Sequence, residues 1–209
     1  MFFKYLFAPL LLSSVALGAP AALEARQSCS AVHLVHAAGT GESGFGLVGT
    51  PLAKALASAI PGTSSHAIRY DTSPEYYRTV EEGGKKMEQY LAEQSTRCPD
   101  QQFILSGYSK GAMIIHETNL DDHSKSKVLS VLVFGDPHRK VGKANSWPIN
   151  SPSVNSNPRD GGESTQNVAS FCNSGDEFCD PAGASLGPHL AYSRDGSIDV
   201  AVNFAKARA

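Results

Sequence analysis

The segment that most limits how this chain can fold is Gly107-Tyr108-Ser109-Lys110-Gly111. It lies between an apolar run, Gln102-Phe103-Ile104-Leu105-Ser106, and a helix-like stretch from Lys110 to Asn119. A serine with glycine two residues away on each side, placed between a buried strand and a helix, reads as a sharp strand-turn-helix. Such a turn is crowded, and glycines at its ends remove the side chains that would clash. The serine hydroxyl then projects past the carboxyl edge of the sheet, where the helix N-terminus supplies positive potential. The rival reading is an ordinary strand-to-helix turn carrying an exposed serine.

The rest of the chain supports a sheet of that kind. Ala31-Val32-His33-Leu34-Val35 is short, apolar and β-branched, so it reads as a strand, followed by the glycine-rich turn Gly39-Thr40-Gly41-Glu42-Ser43-Gly44. Thr50 to Ile60 is helical in pattern, with Leu52, Ala55, Leu56 and Ala59 on one face and Pro61-Gly62 as its stop. His66 to Tyr70 predicts a strand, and Glu75 to Gln94 a helix that Gly83-Gly84 would bend. Val128 to Phe134 is the most apolar run after the N-terminus and predicts a central strand. Lys140 to Glu163, rich in Pro, Ser, Asn and Gly, predicts a long surface loop bordering a site. Asn167 to Phe171 is a last strand candidate, and Ile198 to Ala207 a closing helix that buries Val202 and Ala201 or Ala205. Strands alternating with helices predict a mainly parallel sheet covered on both faces, an α/β architecture.

The chain has 209 residues, enough for one domain with a sizeable core. Hydrophobic residues at 41% and charged residues at 18% exclude a disordered chain. A net charge of -2 with no basic tract excludes a nucleic-acid partner. Lys4, an apolar stretch from Tyr5 to Leu17 and the small residues Ala16-Leu17-Gly18-Ala19 have the order of a signal peptide, residues 1–18, cleaved after Gly18. Residues 19–26 then form a short pro-segment ended by Arg26, and residues 27–209 the single domain. The apolar stretch is too short for a comfortable membrane span, so the expectation is a secreted, extracellular protein with no stable membrane anchor, and a monomer. An even set of cysteines in an exported chain predicts two disulfides. Cys172 and Cys179 would close a small loop, leaving Cys29 and Cys98 to tie the mature N-terminus to the middle of the chain. No Cys-x-x-Cys pair suggests zinc. His33 and His36 fall on opposite faces of a strand, so no metal is expected.

If Ser109 is a nucleophile it needs a base, and the base needs a carboxylate to orient it. His116 sits about two turns into the helix after the elbow, and His123 lies in the charged turn Asp121-Asp122-His123-Ser124; both read as solvated surface residues. His138 follows a strand and is placed to line a cleft. His189 lies late in the chain before the final helix, the usual place for the base, and is favoured. Two acids compete: Asp136, ending the central strand, and Asp176, inside the loop Cys172 to Cys179. Glu177 and Asp180 are neighbours with the bland reading of surface charge.

These segments together resemble the cutinase family, which includes fungal acetylxylan esterases. The elbow is similar to the family's Gly-Tyr-Ser-Gln-Gly. The stretch Cys172-Asn173-Ser174-Gly175-Asp176 through Cys179 resembles its aspartate-bearing disulfide loop. Pro188-His189-Leu190-Ala191-Tyr192 resembles its histidine segment, and Cys29 with Cys98-Pro99-Asp100 its other disulfide. The match runs from about Ser28 to the C-terminus. It implies a compact α/β hydrolase with a five-stranded, mainly parallel core sheet and no large lid. It also implies a triad of Ser109, Asp176 and His189, raising Asp176 over Asp136 and His189 over His138. An oxyanion hole would use the backbone N–H of Lys110 and the hydroxyl residue Thr40. Lys110 departs from the family's Gln, putting a cation near the elbow that biases substrate choice. Ala38 departs from its Arg, removing a supporting ion pair, and the loop from Lys140 to Glu163 reshapes the rim.

The implied activity is hydrolysis of carboxylic esters through an acyl-enzyme, with no metal or organic cofactor. The expected partner is an ester substrate, polymeric in nature: cutin, with short and medium acyl esters, or alternatively acetylated xylan. A non-catalytic interaction protein on an esterase scaffold is the alternative of another class.

Overall fold

The computed structural model describes Met1, residues 29–144 and residues 146–209. The signal peptide and pro-segment expected over residues 1–26 lie, apart from Met1, outside the described residues. Six strands form one parallel sheet in the order β2-β1-β3-β4-β6-β5. They are β1 (Val32–Ala37), β2 (Ser64–Ala67), β3 (Gln102–Tyr108), β4 (Val128–Phe134), β5 (Val154–Asn155) and β6 (Val168–Phe171). β3 and β4 sit at the centre, in a register that pairs Leu105 with Val131 and Gly107 with Val133.

Alternation along these strands divides the core. On one face, Val35, Phe103, Leu105, Val131 and Val133 pack with Met87 and Leu91 of α2 (Arg78–Arg97) and with Ile114 and Ile115 of α3 (Lys110–Glu117). On the other, Leu34, Ile104, Leu132, Phe134 and Phe171 pack with Leu52 and Leu56 of α1 (Gly46–Ala59) and with Ala201, Val202 and Ala205 of the last helix, Ser197–Lys206. Both faces of the sheet are therefore covered, as strands buried on both sides require.

Several boundaries differ from the sequence expectations. β2 is the polar Ser64–Ala67 rather than His66 to Tyr70. It is an edge strand pairing only with β1, so it needs little apolar character. α2 starts three residues later than expected because the Glu75 carboxylate lies ahead of it, accepting from the amides of Tyr77 (2.9 Å), Arg78 (3.3 Å) and Thr79 (2.8 Å). These are the donors a helix start leaves unpaired. Gly83-Gly84 does not interrupt α2. A Cβ at Gly83 would lie 2.5 Å from Ile114 and one at Gly84 2.8 Å from the Glu117 carbonyl, so the pair lets α2 and α3 approach closely.

The stretch from Lys140 to Glu163 is not wholly surface loop. It buries Trp147 and Ile149 in the core and contributes β5, the sixth strand, where five were expected. Arg139 anchors its far end by donating to the carbonyls of Ser156 (2.6 Å) and Ser170 (3.1 Å).

Both expected disulfides are present: Cys29–Cys98 spans 69 residues and Cys172–Cys179 spans 7. A cross-link restricts the unfolded chain more when the loop it closes is longer. Replacing both Cys29 and Cys98 by serine should lower the unfolding free energy by about 4 kcal/mol, and replacing Cys172 and Cys179 by about 2.5 kcal/mol. Urea titrations of the two double variants check this order; equal losses, or the reverse order, contradict it.

Candidate active site

β3 runs straight into Ser109, whose backbone has φ 54 and ψ -118. Left-handed backbone of this kind is costly for a residue with a side chain, at about 1–3 kcal/mol, and persists only where the surroundings enforce it. Here they do. The Ser109 amide donates to the Phe134 carbonyl of β4 (2.9 Å), and the Ser109 carbonyl accepts the Ala112 amide that opens α3 (2.9 Å). The flanking glycines are sterically required. A Cβ at Gly107 would stand 2.3 Å from the Gly111 carbonyl oxygen, and one at Gly111 2.0 Å from that of Ala37.

β6 ends at Phe171 and leads into the cross-linked loop from Cys172 to Cys179. Its Asp176 carboxylate is fully buried and is met from three directions. His189 Nδ1 lies 2.8 Å from Oδ2 and 3.0 Å from Oδ1, the Tyr192 hydroxyl donates to Oδ2 (2.7 Å), and the Phe178 amide donates to Oδ1 (2.8 Å). Burial by itself would raise the affinity of this carboxyl for a proton. The bonds from His189, Tyr192 and Phe178 outweigh it and hold the group below the ordinary carboxylate range. Tyr192 is itself aimed, its hydroxyl accepting the Asn173 amide (3.0 Å). Asp180, the neighbour within reach of misassignment, is spent on its own loop, accepting from the amides of Gly175 (2.7 Å) and Ala182 (3.0 Å). Lys140 closes the loop from outside, donating to the carbonyls of Glu177 (2.8 Å) and Gly183 (2.9 Å).

The competing acid has a different partner. Asp136, at the end of β4, lies 2.9 Å from His116 Nε2 and accepts from the His138 amide (2.9 Å). His116 is therefore not a solvated surface residue: it is 6% exposed, and its Nδ1 donates to the Ser146 carbonyl (2.7 Å). The long loop folds over the helix and covers it, with the Trp147 ring centroid 4.2 Å from the imidazole. His123 is exposed, as expected. His138 stacks on His116 at 4.9 Å, and burial lowers its affinity for a proton.

Ser109 and His189 line one open cavity of about 630 Å³ together with Thr40, Tyr76, Met113, Pro137, Phe178, Leu186 and Leu190. Gly135 makes room for the imidazole, since a Cβ there would lie 2.6 Å from the His189 ring. Among the described residues, neither the Thr40 amide nor the Lys110 amide has an acceptor. The Lys110 side chain is buried and turned away from the cavity, donating to the carbonyls of Asp71 (2.9 Å) and Ser73 (2.5 Å). The arrangement offers a hydroxyl at a strained turn, an imidazole fixed through one nitrogen by a carboxylate, and unpaired backbone donors.

The sequence model of the Cutinase family matches residues 28–209. The chain belongs to the cutinase family. Its enzyme class is that of the carboxylic ester hydrolases. A cutinase from Kineococcus radiotolerans is 30% identical over 193 residues, which cover 85% of this chain and 61% of that protein. A cutinase from Botryotinia fuckeliana is 29% identical over 200 residues, covering 92% and 91%. Among solved structures, a Trichoderma reesei cutinase in complex with a phosphonate inhibitor is similar with a TM-score of 0.67 at 25% identity, over 85% of this chain and 76% of that one. The catalytic core domain of acetyl xylan esterase from Trichoderma reesei shares the fold with a TM-score of 0.70 at 22% identity, over 87% and 100%.

Two residues in this cutinase-family site were not legible as site residues in the sequence. Tyr192 carries one signal, its position three residues after His189 on the same short turn. Tyr76 carries none, since only the folded chain brings it to Thr40 (hydroxyl to Oγ1, 3.2 Å).

The depressed carboxyl of Asp176 has a pH signature. Its stabilising contribution is full above about pH 4 and is lost as pH falls through its lower folded-state value. Tyr192→Phe removes one of the bonds that depress it. The variant should be less stable than wild type by about 1.5–3 kcal/mol at pH 7, the usual worth of a hydrogen bond to a charged group. That gap should narrow below pH 4. Denaturant unfolding at pH 7 and pH 3 measures both; a gap independent of pH contradicts the account.

Proposed function

We propose that this chain is a secreted serine esterase that hydrolyses carboxylic esters with Ser109, His189 and Asp176 as its triad, and that its substrates are cutinase-like. The observation that carries the reading is the joint placement of a strained Ser109 and an Asp176-held His189 on one cavity. His189 uses Nδ1 on Asp176, which leaves Nε2 for proton transfer with the serine. In the first step His189 takes the Ser109 proton as the oxygen attacks the ester carbonyl. Asp176 stabilises the imidazolium that results. The amides of Thr40 and Lys110, with the Thr40 hydroxyl, receive the tetrahedral oxyanion; one such donor is typically worth about 10²–10³ in rate. His189 then protonates the departing alcohol. Water then attacks the acyl carbonyl as His189 takes its proton, and His189 returns that proton to Ser109 as the acyl–serine bond breaks and the acid leaves.

The walls of the cavity support this substrate class. Met113, Pro137, Phe178, Leu186 and Leu190 give the cavity an apolar lining, and Leu186 (50% exposed), Leu190 (41%) and Phe178 (36%) stand at its mouth. An acetyl group would leave most of this surface unused. Acyl chains of several carbons would bury it, at about 0.8 kcal/mol for each methylene removed from water. An open, apolar mouth also suits esters presented on a polymer surface. Export through the signal peptide at residues 1–18 and a short pro-segment fits the two disulfides, which need an oxidising compartment.

The test is hydrolysis of p-nitrophenyl esters from acetate to long acyl chains. Rates should peak at butyrate or longer, and Ser109→Ala and His189→Ala should each lose about 10⁴-fold or more in kcat. Activity on acetate alone would move the reading to a deacetylase of acetylated polysaccharide. No activity in oxidised protein would sink the esterase reading and leave an interaction scaffold.

A further inference from the structure

Lys110 contributes its backbone to one side of the proposed oxyanion hole, while its side chain leads to the other side. The ammonium is fully buried and donates to the carbonyls of Asp71 and Ser73. It also stands 5.5 Å from the ring centroids of both Tyr70 and Tyr76. These residues belong to the segment after β2, and that segment grips the Thr40 turn at four points. The Tyr70 hydroxyl donates to the Ala38 carbonyl (2.5 Å), and the Gly41 amide to the Thr72 carbonyl (2.8 Å). The Thr72 hydroxyl donates to the Glu42 carbonyl (2.9 Å), and the Tyr76 hydroxyl meets Thr40 Oγ1 at 3.2 Å. The Glu42 carboxylate stiffens the turn from inside, accepting the amides of Gly39 (2.6 Å) and Leu47 (2.9 Å).

Resting on the esterase reading, we infer that the Lys110 side chain is a positioning residue for the oxyanion hole: through residues 70–76 it fixes the Thr40 donors relative to its own backbone N–H. The segment between β2 and α2 has no regular structure of its own until Arg78. Two carbonyls gathered on one buried cation, flanked by two aromatic faces, supply the order that secondary structure does not. The Tyr76 hydroxyl is the last link. Donating to Thr40 Oγ1, it leaves the threonine proton to point at the substrate oxygen. A cation beside its ring makes the phenol the better donor of the pair. Burial lowers the proton affinity of Lys110, while Asp71 and Glu75 oppose that shift and favour the charge. A glutamine here could reach one carbonyl but carries no charge for the rings.

Displacing a catalytic donor by about 1 Å costs roughly 10²-fold in rate, so partial loosening should cost somewhat less. On p-nitrophenyl butyrate, Lys110→Met should lower kcat about 10- to 50-fold with KM changed less than about twofold, and Lys110→Gln should recover part of the loss. Tyr76→Phe, which removes only an exposed hydroxyl, should lower kcat severalfold without moving Tm, and it keeps the inference testable if Lys110→Met misfolds. The deciding measurement is a double-mutant cycle with Thr40→Val. The losses from Tyr76→Phe and Lys110→Met should shrink to near nothing in that background, whereas a merely structural role adds in full. Wild-type kcat in both variants, or full additivity with Thr40→Val, overturns the positioning role and leaves the esterase reading intact. A wild-type protein inert toward every ester overturns both.

Discussion

All six strands run in one direction, so every turn that leaves a carboxyl end emerges along the same edge of the sheet. The turn after β1 carries Thr40, the turn after β3 carries Ser109, the turn after β4 carries Gly135 and Asp136, and the loop after β6 carries Asp176. This shared edge is where residues 40, 109 and 176 meet, with His189 brought back to Asp176 by the chain that follows β6. The same geometry creates a difficulty. Loops meeting at one edge bring many backbone carbonyls together with few strand partners to satisfy them. Two buried or half-buried lysines meet that need. Lys140 holds the carbonyls of Glu177 and Gly183 around Asp176, and Lys110 holds those of Asp71 and Ser73 behind Thr40. A lysine has three donors and no acceptor, so one ammonium can fix two strands of irregular chain at once.

The molecule contains two buried histidine–aspartate pairs, and the difference between them lies in the second nitrogen. His116 places Nε2 against Asp136 and Nδ1 against the Ser146 carbonyl. Both ring nitrogens of His116 are therefore engaged within the protein, and the pair ties α3, the end of β4 and the long loop together. His189 commits only Nδ1, to Asp176, and its ring borders the cavity. Chain order alone allows a carboxylate at the end of the central strand or one in the cross-linked loop. In the structure the two pairs differ in the second hydrogen-bond partner of each imidazole.

What the sequence made legible was local. The elbow is a five-residue pattern in which Gly107 answers a clash with Gly111 itself, and the cysteine loop is closed by residues 7 apart. β4 coincides with its apolar run because a strand covered on both faces needs no other signal. The errors arise where distant chain decides the outcome. His116 looked solvated because it sits about two turns into the helix, away from the elbow, yet Ser146 and Trp147, 30 and more residues away, cover it. β5 is two residues long, too short to leave a periodicity in a stretch rich in Pro, Ser and Asn. Gly83-Gly84 suggested a bend, but the requirement it meets is the approach of another helix. The role of Lys110 was visible only as a departure from a family pattern; where the ammonium goes depends on a segment 37 to 39 residues earlier.

The two sides of the site are held by different physics. The Asp176 side is restrained by a disulfide, by an amide inside its turn and by Tyr192, so Asp176 keeps its place by covalent and local bonds. The Thr40 side has no covalent restraint among the described residues. Its order comes from one buried charge and the dipoles and rings around it. A buried cation is stable only while its partners are complete, because removing one leaves charge without compensation. The Thr40 turn is bonded to the 70–76 segment, and that segment in turn holds the Lys110 ammonium. Since Lys110 follows Ser109 directly in the chain, the residue that anchors the 70–76 segment is adjacent to the strained turn.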